Sequence, residues 1–128
     1  MKKSEPKTFG KLLKRIRIED AKIGLREFAS LINMKPSNLS NIERGRIPPP
    51  ASKDAIDLMC DSLGLPKTDP RRNKLFDLAA KKPGRIPADV AESVKNTPGI
   101  PVLVRTVANK QLSEKELKEL SEYIKKYY

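Results

Sequence analysis

Apolar residues recur three and four positions apart along nearly the whole chain, and no stretch alternates strictly between apolar and polar. The first spacing is that of an amphipathic helix, and the lack of the second argues against half-buried strands, so the pattern predicts an all-α fold. Phe9, Leu12, Leu13 and Ile16 set the first helix, from Phe9 to about Glu19, with Thr8 placed to cap it. Leu25, Phe28, Ala29 and Ile32 repeat the spacing for a second helix entered through Gly24 and ending near Ile32. Pro36 suits a first helical turn and Gly45 a helix end, which predicts a third helix over Pro36 to Glu43. Pro48, Pro49 and Pro50 force an extended connection. A fourth helix follows, capped by Ser52 and closed by Gly64. A fifth starts at Asp69 and Pro70, carries Leu75, Phe76, Leu78 and Ala79, and breaks at "KKPG".

That break is the expected domain edge, with a compact domain over residues 1 to 82 and a helical extension over 84 to 128. In the extension Pro87 opens a short helix bearing Val90 and Val94, and Thr97 and Pro98 introduce a second. The last helix is the best formed, because Ser113 and Glu116 make a capping box. Ile100, Leu103, Val104 and Val107, then Leu117, Leu120, Ile124 and Tyr127, form apolar stripes too extensive for two short helices to cover for each other. A partner surface is expected there, most simply the same segment of a second chain in a two-fold dimer. Folding back over the first and fifth helices is the other way to cover the stripes.

The third helix is the odd one. In "KPSNLSNIERGR" only Leu39 and Ile42 are aliphatic, while Ser37, Asn38, Ser40 and Asn41 fill positions where Ser and Asn are indifferent helix formers. Only Asn33 to Lys35 separate it from the second helix, so the pair must turn sharply, in helix-turn-helix geometry. Phe28, Ala29, Ile32, Met34, Leu39 and Ile42 would then meet in the core, with Ala29 small enough for a close helix crossing. Lys35, Ser37, Asn38 and Asn41 remain on the outer face, and short amide and hydroxyl side chains there can reach base edges in a major groove about 12 Å wide. Ser37 and Asn38 lie in the first turn, where satisfying free amides is an equal alternative; Asn41 is mid-helix, where capping does not explain it.

Charge points the same way. The 128 residues hold 27 Lys and Arg against 16 Asp and Glu, a net charge of +11 that favours polyanions. Residues 1 to 50 carry 12 basic and 5 acidic side chains, residues 51 to 80 five of each, and residues 81 to 128 ten and six. The anion-facing part is therefore N-terminal. Arg44 and Arg46 close the third helix and are candidate phosphate contacts. Lys2, Lys3, Lys7, Lys11, Lys14, Arg15 and Arg17 form either a DNA-following arm or a solvated face. Glu43 would be repelled by phosphate and is expected to pair with a basic neighbour such as Arg26.

The inventory excludes other chemistries. With no His and one Cys, Cys60, the chain builds no Cys–His zinc site, no imidazole base and no internal disulfide, so neither a metal nor another cofactor is expected. Cys60 lies in the apolar run "AIDLMCDSLGL" and reads as a small buried thiol. Asp54, Asp57 and Asp61 share a helix face without a companion base and read as solubilising charges, so an enzyme is not expected. No run approaches a membrane span and the N-terminus lacks the apolar stretch of a signal peptide, which together predict a cytoplasmic protein.

The stretch "IGLREFASLINMKPSNLSNIERGRIPPP" resembles the helix-turn-helix of the lambda-repressor-like, or XRE, transcriptional regulators, with Ala29, Leu39, Ser40, Ile42, Glu43, Gly45 and Pro48 matching in order and spacing. The resemblance spans about residues 8 to 80 and implies a five-helix lambda-repressor-like DNA-binding domain that binds double-stranded DNA. By position it makes Ser37, Asn38 and Asn41 base-reading candidates and Arg26, Lys35, Arg44 and Arg46 phosphate-binding candidates. Three positions depart from the pattern. Gly24 and Leu25 replace a Thr/Ser–Gln pair, leaving Arg26 to substitute; Asn33 stands where the turn usually has Gly; Lys35 replaces a Ser or Thr cap. The function implied is a sequence-specific regulator, a repressor on a palindromic operator whose half-sites lie about 34 Å apart. Alternatives are an autoregulating antitoxin that also binds a toxin protein, and a coactivator-like protein-interaction module.

Overall fold

The computed structural model describes residues 6–80 and 86–128, and all of its regular elements are helical. They are α1 (Phe9–Arg15), continued by a π-helical segment (Ile16–Ala21), then α2 (Leu25–Leu31), α3 (Pro36–Glu43), α4 (Lys53–Ser62), α5 (Pro70–Ala79), α6 (Ala88–Asn96), α7 (Gly99–Lys110) and α8 (Glu114–Tyr127). The chain divides into two compact units, residues 1–90 and 91–128. The expected break at "KKPG" and the edge placed there, together with Lys2 and Lys3, lie outside the described residues.

Local chemistry sets the helix ends of the first unit. Thr8 Oγ1 accepts from the Lys11 amide at 3.3 Å, Ser52 Oγ from Ala55 at 3.2 Å and Asp69 Oδ1 from Arg71 at 2.9 Å, each satisfying an amide that has no partner inside its helix. Pro36 and Pro70 open α3 and α5, where a missing N–H costs nothing. At the other ends, Gly45 and Gly64 take φ of 75° and 76°, a region L residues resist. Asn33 adopts φ 54° at the end of α2, which confirms that an Asn can serve where the turn usually carries Gly. The first helix runs two residues past its expected end near Glu19, because it widens into π geometry from Ile16 before Lys22, at φ 54°, stops it.

Helix α1 packs on α3 and α5, α2 on α3, and α4 on α5. Their inward faces make one core, in which Leu13, Phe28, Ala29, Leu39, Ile56, Cys60 and Leu75 are fully excluded from solvent. Of the six residues expected to meet between α2 and α3, five are buried and Met34 is partly buried against them. Cys60 is the inert thiol its surroundings foretold; burial pushes it up to about 11. Asp57 and Asp61 are not the solubilising charges expected. They hold the buried Arg72, whose Nη2 donates to Asp57 Oδ1 and Nη1 to Asp61 Oδ1, both at 2.8 Å, with the Leu65 carbonyl at 2.7 Å. A guanidinium inside the fold requires such partners, and Arg72 and its acceptors are far apart in sequence.

The second unit differs. Helices α7 and α8 bury no residue. The capping box is present, with Ser113 Oγ accepting from the Glu116 amide at 3.2 Å and Glu116 Oε1 from the Ser113 amide at 3.1 Å. Among the described residues no helix is long and apolar enough to cross a membrane.

Candidate nucleic-acid interface

Helix α3 is seated by its two aliphatic residues. Leu39 and Ile42 point into the core, with Glu43 buried beside them, and leave Ser37 and Asn38 exposed and Asn41 half-buried, which fixes which face is presented. The turn before it is tight. Asn33 N–H donates to the Ser30 carbonyl at 3.2 Å and Met34 N–H to that of Ala29 at 2.9 Å, so the last carbonyls of α2 are paired by the residues that redirect the chain. Lys35 is extended and α3 begins at Pro36. The far end closes the same way: Gly45 N–H donates to the Ile42 carbonyl at 3.0 Å and Arg46 N–H to that of Asn41 at 2.8 Å. This pairing holds the backbone of Arg46 against the helix end.

Two contacts anchor α3 to the first helix. Arg17 Nε and Nη2 donate to Glu43 Oε2 and Oε1 at 2.8 and 2.9 Å, a two-pronged pair with both side chains buried. Arg17 Nη1 also donates to the Ile23 carbonyl at 3.1 Å, so one guanidinium ties the π segment, the entry to α2 and the end of α3. This overturns two expectations. Glu43 pairs with Arg17, not Arg26, and Arg17 belongs to the core rather than to a basic arm, because the acceptor at Glu43 lies on the face that α3 turns inward. The signal was present: Arg17 lies four residues after Leu13, on the apolar face of the first helix. Gly10 is the second contact. A Cβ there would fall 2.6 Å from the Glu43 carbonyl oxygen and closer still to that of Ile42, so α1 reaches the end of α3 only because Gly10 has no side chain.

On the outer face, Ser37 and Asn38 are exposed and Asn41 is half-buried, and none of the three side chains hydrogen-bonds within the described residues. Neither Ser37 nor Asn38 is used as a cap, since α3 has no side-chain cap. Lys35, Arg44 and Arg46 are exposed around them, and Arg26 is exposed on α2; none of the four forms an ion pair within the described residues. Polar groups able to donate and accept therefore sit in a row along α3, with unpaired cations at both ends. Of the other cations, Arg15 lies near Glu19 at 4.0 Å.

No curated protein and no solved structure matches the chain. Residues 8–73, just over half of its length, match the model of a family described as a helix-turn-helix domain, a span that contains α2, the Asn33 turn and α3. The chain belongs to the helix-turn-helix domain family, and its first unit is a DNA-binding module of that all-α type.

Proposed function

We propose that the protein is a sequence-specific transcriptional regulator of the lambda-repressor-like (XRE) kind, which represses by occupying a palindromic operator as a dimer. DNA reading is assigned to residues 1 to 82 and pairing to residues 84 to 128. The observation that carries this reading is the outer face of α3, whose polar side chains are unengaged while the helix itself is locked from behind by Arg17 and Glu43. A rigid helix presenting free amide and hydroxyl groups is suited to base edges; cations at its ends are suited to phosphates. Ser37, Asn38 and Asn41 are the proposed readers, Asn41 favouring adenine, and Arg26, Lys35, Arg44 and Arg46 the proposed phosphate contacts.

A docking module would need an apolar or aromatic patch on this face, and α3 offers none. The antitoxin variant keeps the same DNA reading and adds a toxin on the extension, where the exposed Leu103 and Val104 leave room for a protein partner. Selection of bound sequences from a random duplex library tests the proposal, and an enriched two-fold motif is expected. If about six phosphates are neutralised per dimer, log affinity falls with log salt at a slope near −5, and Arg46→Ala flattens that slope by about one on every sequence alike. A flat salt response would exclude phosphate-driven binding.

A further inference from the structure

Two prolines, one leucine and three cations meet in a cleft of about 290 Å³ between α1 and α5, lined by Pro6, Leu12, Arg15, Pro70, Arg71 and Lys74. Their spacing explains the meeting. Leu12 and Arg15 are three apart on α1, and Pro70 and Lys74 are four apart on α5, so each pair stands on one helix face. None of the six lies on α2 or α3, which makes the cleft separate from the proposed reading face. Its walls are set before a ligand arrives. Leu12 is buried in the core. The Arg71 guanidinium is held by two carboxylates, Nε and Nη2 donating to Asp69 at 3.1 and 2.7 Å and Nη1 to Asp20. Its stem is therefore a fixed wall and its charge is already balanced.

The other two cations differ. Lys74 is exposed and makes no ion pair among the described residues; Asp77, three positions on, feels its charge but is not within ion-pair reach. Arg15 is half-buried, with Glu19 at 4.0 Å from its Nε. No carboxylate lines the cleft among the described residues. Cations without an acid, over a floor of leucine and proline, complement an anion that also has an apolar part, whereas a bare phosphate would leave that floor unused. Size narrows the choice further: small-molecule sites begin at about 300 Å³, and a partner's helix, about 10 Å across with its side chains, does not enter. We propose that the cleft binds a small organic anion, an acid group on a compact apolar body, with Lys74 and Arg15 pairing with the acid and Pro6, Leu12 and Pro70 covering the body.

Titrating octanoate, octanamide and inorganic phosphate into the full-length chain, without DNA, and following backbone amide shifts tests this apart from the operator reading. Octanoate is expected to saturate at roughly millimolar concentration, with shifts clustered at Leu12, Arg15, Arg71 and Lys74. Octanamide, which keeps the body and loses the charge, is expected to bind about tenfold more weakly, and phosphate not to saturate. Lys74→Gln is expected to weaken octanoate about tenfold while leaving octanamide binding and the ligand-free unfolding midpoint unchanged, since this side chain pairs with nothing in the fold. Shifts confined to the exposed apolar residues of α7 and α8 would mark uptake by any greasy surface and overturn the proposal. So would equal affinities for octanoate and octanamide, phosphate binding as tight as octanoate, or a Lys74→Gln chain that holds octanoate like wild type.

Discussion

The first unit is held together by contacts between residues far apart in the chain, the second by contacts within a turn or two. Residues 6–80 wrap a core from five helices and bury two arginines, Arg17 against the buried Glu43 and Arg72 against Asp57 and Asp61 at the edge of the core. Helices α7 and α8 bury nothing, and α8 is supported by its capping box, a Glu122–Lys125 pair at 3.8 Å and a Lys126 ammonium 5.3 Å from the Tyr127 ring centre. The difference separates a unit whose stability comes from its own core from an extension whose apolar stripes the proposed function assigns to association. A recognition helix must be rigid before it meets DNA, whereas a pairing surface is completed only by its partner.

The sharpest break of that comparison is a matched truncation. Phe28→Ala empties a fully buried site and is expected to lower stability by about 3–5 kcal/mol in urea unfolding at every protein concentration. Leu120→Ala is expected to act through association, its effect vanishing on dilution; an equal loss at all concentrations would erase the distinction. Arg17→Met is next. It strands Glu43 in the core at a cost of about 3–5 kcal/mol, most of which the second substitution Glu43→Leu is expected to restore, since a buried pair is replaceable by apolar groups while a lone charge is not. Chemical unfolding of the double variant checks it; failure to recover would mean that the pair is worth more than its desolvation cost.

How much of this was visible in the sequence follows from the range of the interactions. Thr8, Pro36, Ser52, Asp69 and the Ser113–Glu116 box placed helix starts within a residue, because a cap acts on the turn that follows it. The outward set on α3 was legible for the same reason, since Leu39 and Ile42 leave only one way to seat that helix. Arg17 was legible only in its place on the apolar face of the first helix; its partner was not, because its acceptor is 26 positions on. Asp57 and Asp61 were misread for want of Arg72, which lies 15 and 11 positions away. The π segment and the Gly10 approach depend on how helices cross, which hydrophobic periodicity does not encode.

Smaller effects refine the picture. Gly10→Ala must push α1 off the end of α3, and a cost of about 1–3 kcal/mol with weakened DNA binding is expected, read by thermal unfolding and by anisotropy on one duplex. A DNA affinity equal to wild type would show that the helix end tolerates the shift. The acid limb of stability is a milder probe. Burial pushes the Asp57 carboxyl up, but hydrogen bonds from Lys53 and Arg72 outweigh it and leave the group below its ordinary 3.8; Arg71 lowers Asp69 likewise. Carboxylates held low when folded stabilise at pH above their unfolded values, and that contribution is lost as pH falls through the lower folded ones. Unfolding free energy is therefore expected to decline below about pH 4, and Asp57→Asn to shallow that decline.

The central claim is that α3 reads sequence with side chains the fold leaves free, and Asn41→Ala tests it most directly. Binding is measured by anisotropy on the selected duplex and on a random one at the same salt. A loss of about 1–3 kcal/mol on the selected duplex with little change on the random one is the predicted result. Equal losses on both would contradict it, because Asn41 would then only help to position the helix.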